Sequence, residues 1–446
     1  MGALATAARA HQHHLRLIHS RTTTDELFGI LQDDAFYERP IAERHRIIFY
    51  LGHVEAFDWN LLGQRAFGLR RFNATFDQLF AFGIDPVDGG LPTDQPADWP
   101  SRDKILKYNE RLRAALDAAI DAALEHPNQG HPSQGHPQLL TMLDTAIEHR
   151  LMHAETLAYL FHRLPLKKKK PLHAEEQWTT PRIQHRLVEI SEGPAVLGLP
   201  KEDKRFGWDN ERGSLTVQVP AFSIEKHNVS NRQFLHFVQS GGYRDRKLWT
   251  SAGWEWREQN GVEHPAFWER RGNMWIYRGM FSEQPLPMDL PVYVSHAEAS
   301  AYAKWMDRKL PTEEQFHRAA YGIPNSEEQR SYPWGEELPG PRFGNFDFMR
   351  FDAAPCGTHP AGTSAFGVHD LVGNGWEWTR TIFAPLPGFS AMPFYPGYSA
   401  NFFDGKHYVM KGGSPRTAAC MLRRSFRNWF QPHYPYVYAT FRCVEE

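Results

Sequence analysis

Two histidines stand four residues apart in the stretch IEHRLMHAE, His149 and His153. In a helix, positions i and i+4 share a face one turn apart, so both imidazoles can point at one ion. Apolar positions recurring at three- and four-residue steps over 138–163 predict that helix. A candidate third imidazole, His53 in FYLGHVEAFDWNLLG, lies on another helix-like stretch spanning roughly residues 46 to 65. Antiparallel helices of a bundle bring such positions together across a core. Three neutral imidazoles on one side of an ion leave the other side open, as a catalytic site needs and a closed structural site does not. Imidazole suits zinc, copper, iron and nickel alike, so ligand type leaves the metal open. The competing reading is plain: with 23 histidines in the chain, two partly exposed helix histidines arise easily by accident.

The elements that must hold these residues fall into two blocks, as 446 residues suggest for a chain too long for one ordinary domain. Residues 1–164 read as a helix bundle, with amphipathic helices over 101–125 and 138–163. Between those two lies HPNQGHPSQGHPQ, whose prolines and glycines exclude a helix and predict a solvated connection. The run LPLKKKKPLHAEEQW then breaks the helical pattern, and 165–178 is expected to be a solvated linker. From 179 to 446 short strand-like runs rich in Gly, Pro and Trp predict an irregular α+β domain, with helices at 230–240 and 296–308. The fold class is therefore an α bundle followed by an α+β domain.

Composition excludes several classes of partner. A formal net charge of -2 offers no basic surface for nucleic acid. Cys356, Cys420 and Cys443 are too scattered for a disulfide framework and form no CxxC pair, which disfavours thiolate zinc and fits a reducing compartment. No stretch has signal-peptide character or the length of a membrane span. A soluble cytoplasmic protein with no membrane partner is expected.

Four phrases of the second block, FSIEKHNVSNRQFLHFV, RKLPTEEQFHRAA, FGVHDLVGNGWEWT and VMKGGSPR followed by RRSFRNWF, occur in an order that resembles the formylglycine-generating or sulfatase-modifying fold, a C-type-lectin-like architecture. The first block resembles a DinB-type four-helix bundle, whose three metal-binding histidines fall at His53, His149 and His153, with Glu155 completing a His-x3-His-x-Glu phrase. A DinB bundle joined to such a domain resembles the iron-dependent sulfoxide synthases of ergothioneine biosynthesis and their sibling, selenoneine synthase. That resemblance implies Fe(II), O2, the substrate hercynine (N-trimethylhistidine) and a thiol or selenol donor joined to its imidazole C2. It also implies substrate contact near Asn428 and Trp429, with Phe430 beside them, and aromatic faces suit a quaternary ammonium. A core role in the fold would explain Trp429 equally well. Glu155 and Asp58 are candidate acceptors for the ligand N–H groups, and the GNGWEW phrase is expected to be a structural turn.

Three departures from the family pattern bear on the donor and the chemistry. Met152 stands where relatives place a glutamine between the two helix histidines, so a polar substrate contact at Met152 is lost or replaced. Leu386-Pro387-Gly388-Phe389 replaces a Tyr-Pro-Gly-Phe phrase, which removes the catalytic phenol; Tyr395, Tyr398, Tyr434, Tyr436 and Tyr438 are its possible substitutes. Enzymes using γ-glutamylcysteine hold its carboxylates with arginines after the second bundle helix, whereas FAFGIDPVDGGLPTDQPADWPS has none. After Arg427, the run NWFQPHYPYVYATF also lacks cations before Arg442. A less anionic donor such as a 1-selenosugar is expected, with cysteine or a related thiol as the alternative. The chain is thus read as an O2-dependent nonheme iron oxidoreductase forming a carbon–selenium or carbon–sulfur bond. A zinc or nickel thiol transferase and a non-catalytic ligand-binding module are the remoter readings.

Overall fold

The computed structural model describes residues 2–81, 91–125, 138–170, 183 and 186–446, the side chains of 2–10 and 124–125 apart. The chain divides into two compact units, Met1–Ala174 and Glu175–Glu446. In the first, four long helices, α1 (Gly2–Gly29), α2 (Ile47–Asp58), α4 (Arg102–Glu125) and α5 (Leu139–Arg163), are joined by a short α3 (Ala74–Leu79). Helix α2 is apolar on almost every side, so it belongs at the centre: Ile47 to Ala56 are all buried. It packs on α4 and α5, and α1 packs on α5. Past Asp58 the same helix widens into a π-helical stretch, Trp59–Ala66, closed by the Phe67 N–H donating to Leu62 five residues back.

The lysine run departs from the solvated spacer expected of it. The Gln32 N–H donates to the Lys168 carbonyl and the Lys170 N–H to that of Ile30, pairing the run with the end of α1. Lys168 reaches Asp34 and Glu38 at 2.9 Å each, and Lys169 is buried. Backbone pairing to an adjacent acidic segment overrides the tendency of clustered lysines to remain in solvent. The rest of the expected linker, 171–178, and the His-Pro-Gly connection at 126–137 lie outside the described residues.

In the second unit β1 (Leu187–Ile190), β2 (Gly193–Leu199), β3 (Gly213–Val219) and β4 (Phe222–Glu225) lead to α6 (Asn231–Gln239) and α7 (Ser251–Gln259). Then come β5 (Trp268–Arg271), β6 (Met274–Arg278), β7 (Glu283–Pro285), α8 (His296–Trp305) and α9 (Glu313–Tyr321). The last strands are β8 (Gly375–Ile382), β9 (Tyr408–Gly413), β10 (Asn428–Phe430), β11 (Ala439–Thr440) and β12 (Val444–Glu445). They form small sheets in the orders β1-β4-β12, β10-β9-β8-β11, β2-β3 and β5-β6-β7. The core beneath them gathers Ile190, Val219, Phe222, Ile224, Phe316 and Tyr321.

Helices α6 and α8 fall where periodicity placed them, with α8 ending at Trp305 rather than 308. Helix α9 is a separate element that the sequence reading ran past, although its signal is local: the Thr312 hydroxyl accepts from the Gln315 N–H while the Gln315 side chain accepts from the Thr312 N–H, a reciprocal cap. The GNGWEW phrase, expected to be largely a structural turn, is one only at its start: Gly373 and Asn374 turn the chain at positive φ, and Gly375–Trp378 open β8. Asn374 sits at φ 67, its side-chain oxygen accepting from the Ala354 N–H at 2.7 Å and its amide donating to the Ala354 carbonyl at 2.8 Å. Among the described residues no helix is long and apolar enough to cross a membrane.

Candidate metal centre

The three histidines chosen from spacing meet. His149 and His153 project from one face of α5 toward His53 on α2, all three are buried, and one nitrogen of each lies within 4.8 Å of the other two. Nε2 of His153 is 3.1 Å from Nε2 of His53 and 3.1 Å from Nε2 of His149.

The orientation of His53 traces to a glycine. Gly52 lets the Phe80 ring close on α2, since a β-carbon there would meet ring atoms at 2.6 Å. That approach brings the Phe80 carbonyl to 2.7 Å from His53 Nδ1. The Nδ1–H donates to it, which fixes the tautomer and leaves an unshared pair on Nε2. Aromatic packing holds two of the rings. Phe49 stacks on His53 with centroids 4.8 Å apart, and Phe57 lies over His149 at 3.4 Å with the rings nearly parallel. Phe49, His53 and Phe57 repeat every four residues along one stripe of α2, a spacing that the sequence itself displays. The fully buried Tyr50 lies beside His153, ring centroids 5.8 Å apart.

Burial sets the charge state. It lowers His53 to about 4 from an ordinary 6.5, despite the Phe80 carbonyl pulling the other way, and it drives His149 and His153 well below that ordinary value. At neutral pH all three are therefore uncharged imidazoles, the form that binds a metal. A neutral imidazole nitrogen carries either a proton or an unshared pair, so the three Nε2 atoms act together as ligands when His149 and His153 are protonated at Nδ1, as His53 is. Two nitrogens each about 2.1 Å from an ion are about 3.0 Å apart at right angles and about 3.4 Å apart in a tetrahedron. The two pairs at 3.1 Å lie near the first of these spacings, so the residues fit an ion shared by imidazoles.

Of the two carboxylates offered as acceptors, Asp58 is engaged elsewhere. Asp58 bonds no ligand histidine in the described contacts; its Oδ2 accepts from Arg150 Nη2 at 2.5 Å, because a buried guanidinium is the stronger partner for a buried carboxylate. Glu155 is half-buried on α5 two residues past His153, and Met152 is half-buried beside it.

The other predicted residues lie in the second unit. Asn428, Trp429 and Phe430 form β10, paired with β9 so that Trp429 faces Val409 in register. Trp429 is half-buried, stacks on Phe383 at 4.3 Å and meets the edge of Tyr398 at 5.4 Å. Phe430 stacks on Tyr434, which in turn meets Tyr436. Leu386 is buried against the β2–β3 hairpin, where Gly198 and Gly213 leave room for it. Of the substitute phenols, Tyr438 is core, packed on Phe267 and Tyr293, and Tyr398 is buried under Trp208 at 3.9 Å. Tyr395, Tyr434 and Tyr436 are half-buried.

The arginine-free stretch after α3 is not cation-free in space. Arg39 and Arg46 reach Asp94 from the segment before α2, Arg46 Nε at 3.1 Å, and Arg39 also donates to the Pro92 carbonyl at 2.7 Å. Both guanidiniums are engaged by this loop. The FAFGID part of the phrase from 82 onward lies outside the described residues.

Residues 174–446 match the family of sulfatase-modifying factor enzyme 1-like domains, and residues 16–157 match the DinB superfamily. Hercynine oxygenase of Mycolicibacterium thermoresistibile is 36% identical over 67% of this chain and 67% of its own length. Hercynine oxygenase of Mycobacterium tuberculosis is 38% identical over 56% of this chain and 58% of its length. Ergothioneine biosynthesis protein 1 of Neurospora crassa is 27% identical over 94% of this chain but only 56% of its own. The chain thus spans between about half and two thirds of the length of these relatives.

Proposed function

Since the chain belongs to the sulfatase-modifying factor enzyme 1-like family, in the branch that joins this domain to a DinB bundle as ergothioneine-type sulfoxide synthases do, we propose that it is an oxygen-dependent nonheme iron enzyme acting on hercynine. The observation that carries this reading is the convergence of three buried, uncharged imidazoles from α2 and α5, with their nitrogens turned inward. His53, His149 and His153 would hold the ion, which when bound supplies oxygen activation for replacing a strong C–H bond. In the net reaction the imidazole C2–H and the donor's Se–H or S–H are lost and the C–Se or C–S bond forms; one oxygen atom of O2 leaves as water with the two hydrogens and the other is carried on selenium or sulfur as the selenoxide or sulfoxide.

The protein's own residues keep the site dry and fixed. Phe49 and Phe57 wall two imidazoles from solvent, and the Phe80 carbonyl holds His53 in one tautomer.

The donor assigned to the enzyme is a 1-selenosugar, and the support is the state of its arginines. Arg39 and Arg46 are engaged at Asp94, Arg427 forks onto Glu313, and Arg442 onto Glu377. A donor with two carboxylates finds none of these cations uncommitted. The relatives' names favour the second reading, cysteine or a related thiol as donor. Iron-loaded protein incubated with hercynine, O2 and either selenosugar, cysteine or γ-glutamylcysteine decides between them by mass spectrometry of the product. Turnover only with the thiols sinks the selenium assignment, and no oxygen uptake with any donor sinks the enzyme.

A further inference from the structure

Arg150, the residue after His149, is fully buried and sends its guanidinium away from the imidazoles into the seam between helices. It makes five hydrogen bonds there. Nε and Nη2 donate to Asp58 Oδ2 at 3.2 and 2.5 Å, and Nη2 also to the Val54 carbonyl at 3.0 Å. Nη1 donates to Glu55 Oε1 at 2.8 Å and to Thr24 Oγ1 at 3.2 Å. Three of these acceptors, Val54, Glu55 and Asp58, flank His53 on α2.

The line of charge continues outward. Glu55 Oε1 also accepts from Arg113 of α4 at 2.6 Å, and Arg113 forks onto Asp25 of α1 at 2.7 Å on both arms. The sequence Asp25–Arg113–Glu55–Arg150–Asp58 therefore crosses all four long helices, with alternating sign.

We propose that Arg150 is a positioning residue for the metal centre: by clamping α2 to α5 it fixes His53 against the His149–His153 pair, and so sets how tightly the three imidazoles hold an ion. The inference rests on the metal reading above. A planar guanidinium can meet acceptors on three sides at once, which a lysine ammonium on a flexible stem cannot do with the same geometry. The positive charge itself works against a bound cation, and it contributes to lowering the proton affinity of all three histidines. Charge and geometry thus predict opposite results. If Arg150 acted only through its charge, removing it would tighten metal binding; as a clamp, its removal loosens binding.

The test is titration of the full-length, metal-stripped chain with Co(II), read by its visible absorption and by chelator competition, so no turnover is needed. Arg150→Lys and Arg150→Met are each expected to bind Co(II) about 10- to 100-fold more weakly than the wild type, the usual range for losing a residue that orients a ligand, with a shifted absorption band. Arg113→Lys, at the outer end of the line, is expected to lower the unfolding midpoint yet keep the wild-type affinity and spectrum. Folded Arg150 variants that bind Co(II) as tightly as wild type, or more tightly, overturn the proposal. Should neither fold by circular dichroism, Asp58→Asn decides, with a weaker affinity expected and an unchanged one overturning it. A wild-type chain that takes up no Co(II) overturns the metal reading itself, a result distinct from wild type and variants binding alike.

Discussion

The histidine cluster of the first unit and the Arg442–Glu377 cluster of the second are both buried at zero or near-zero exposure, and the two clusters are built on opposite plans. In the second unit Arg442 and Glu377 are both fully buried, and every N–H of the guanidinium has an acceptor: two go to Glu377, at 2.7 and 2.6 Å, and the others to the carbonyls of Glu225, Lys226 and His369. In the first unit three imidazoles turn their Nε2 atoms toward one another. A buried network with its donors and acceptors matched, around Arg442 as around Arg150, is complete within the protein. One whose acceptors converge on a common point is complete only with a cation, and it serves a reaction. Burial alone does not separate scaffold from site, but the direction of the unshared pairs does.

The largest effect that sharpens this contrast comes from removing a ligand. His53→Ala, His149→Ala and His153→Ala should each weaken metal binding by roughly a few hundredfold or more, since one of three ligands supplies roughly a third of a binding energy of ~10 kcal/mol or more. Co(II) titration with chelator competition measures it. Undiminished uptake by the triple variant would move the ion to another place in the chain and dissolve the distinction between the units.

Next in size is the effect of breaking the closed network. Arg442→Met leaves Glu377 buried without its partner, which should cost about 3–5 kcal/mol of folding stability in the second unit. Denaturant unfolding reads the loss, and metal affinity should be unchanged. A stability change under ~1 kcal/mol would mean that the pair is not the desolvated, saturated element its geometry describes.

How much of this could be read from the chain depends on the range of the contacts. The histidine pair was legible because a helix converts a spacing of four into a shared face, and His53 because an apolar helix of a bundle has to cross the core. The domain order was legible from phrases that keep their local shape, such as the Asn374 turn. The clamp was not. Arg150 meets Asp58 and Thr24 from 92 and 126 residues away, and no local pattern marks which of the chain's many carboxylates a given arginine will find. The same holds for Arg39 and Arg46 at Asp94, which made a loop without arginines look cation-free when the fold delivers two. Asp58 was open for the same reason: the sequence allowed it equally as an acceptor for a ligand and as a solvated helix carboxylate, and a buried cation from another helix claims it instead.

The smallest effect probes whether the two units differ in their answer to acid. His53 titrates at about 4 and His296, in the second unit, at about 3, against an ordinary 6.5, and burial is the main cause in both. His296 is saturated in the manner of its unit, with Nε2 donating to the Thr379 carbonyl at 3.1 Å. Below pH 6.5 the unfolded chain takes up a proton that each folded site refuses. The stability these groups contribute is thus fully present above 6.5 and is lost as pH falls through 4 and then 3, at up to ~1.4 kcal/mol per pH unit for each group. Metal-free protein should therefore open in both units on acidification. Saturating Co(II) occupies Nε2 of His53 but has no ligand set at His296, so by mass action it should shift only the first unit's opening to lower pH. Hydrogen exchange followed in peptides from α2 and α5 against those from α8 reads the two separately. An equal shift in both would show that the acid response belongs to the whole chain, and that the inward-turned lone pairs of the bundle are not what sets the two units apart.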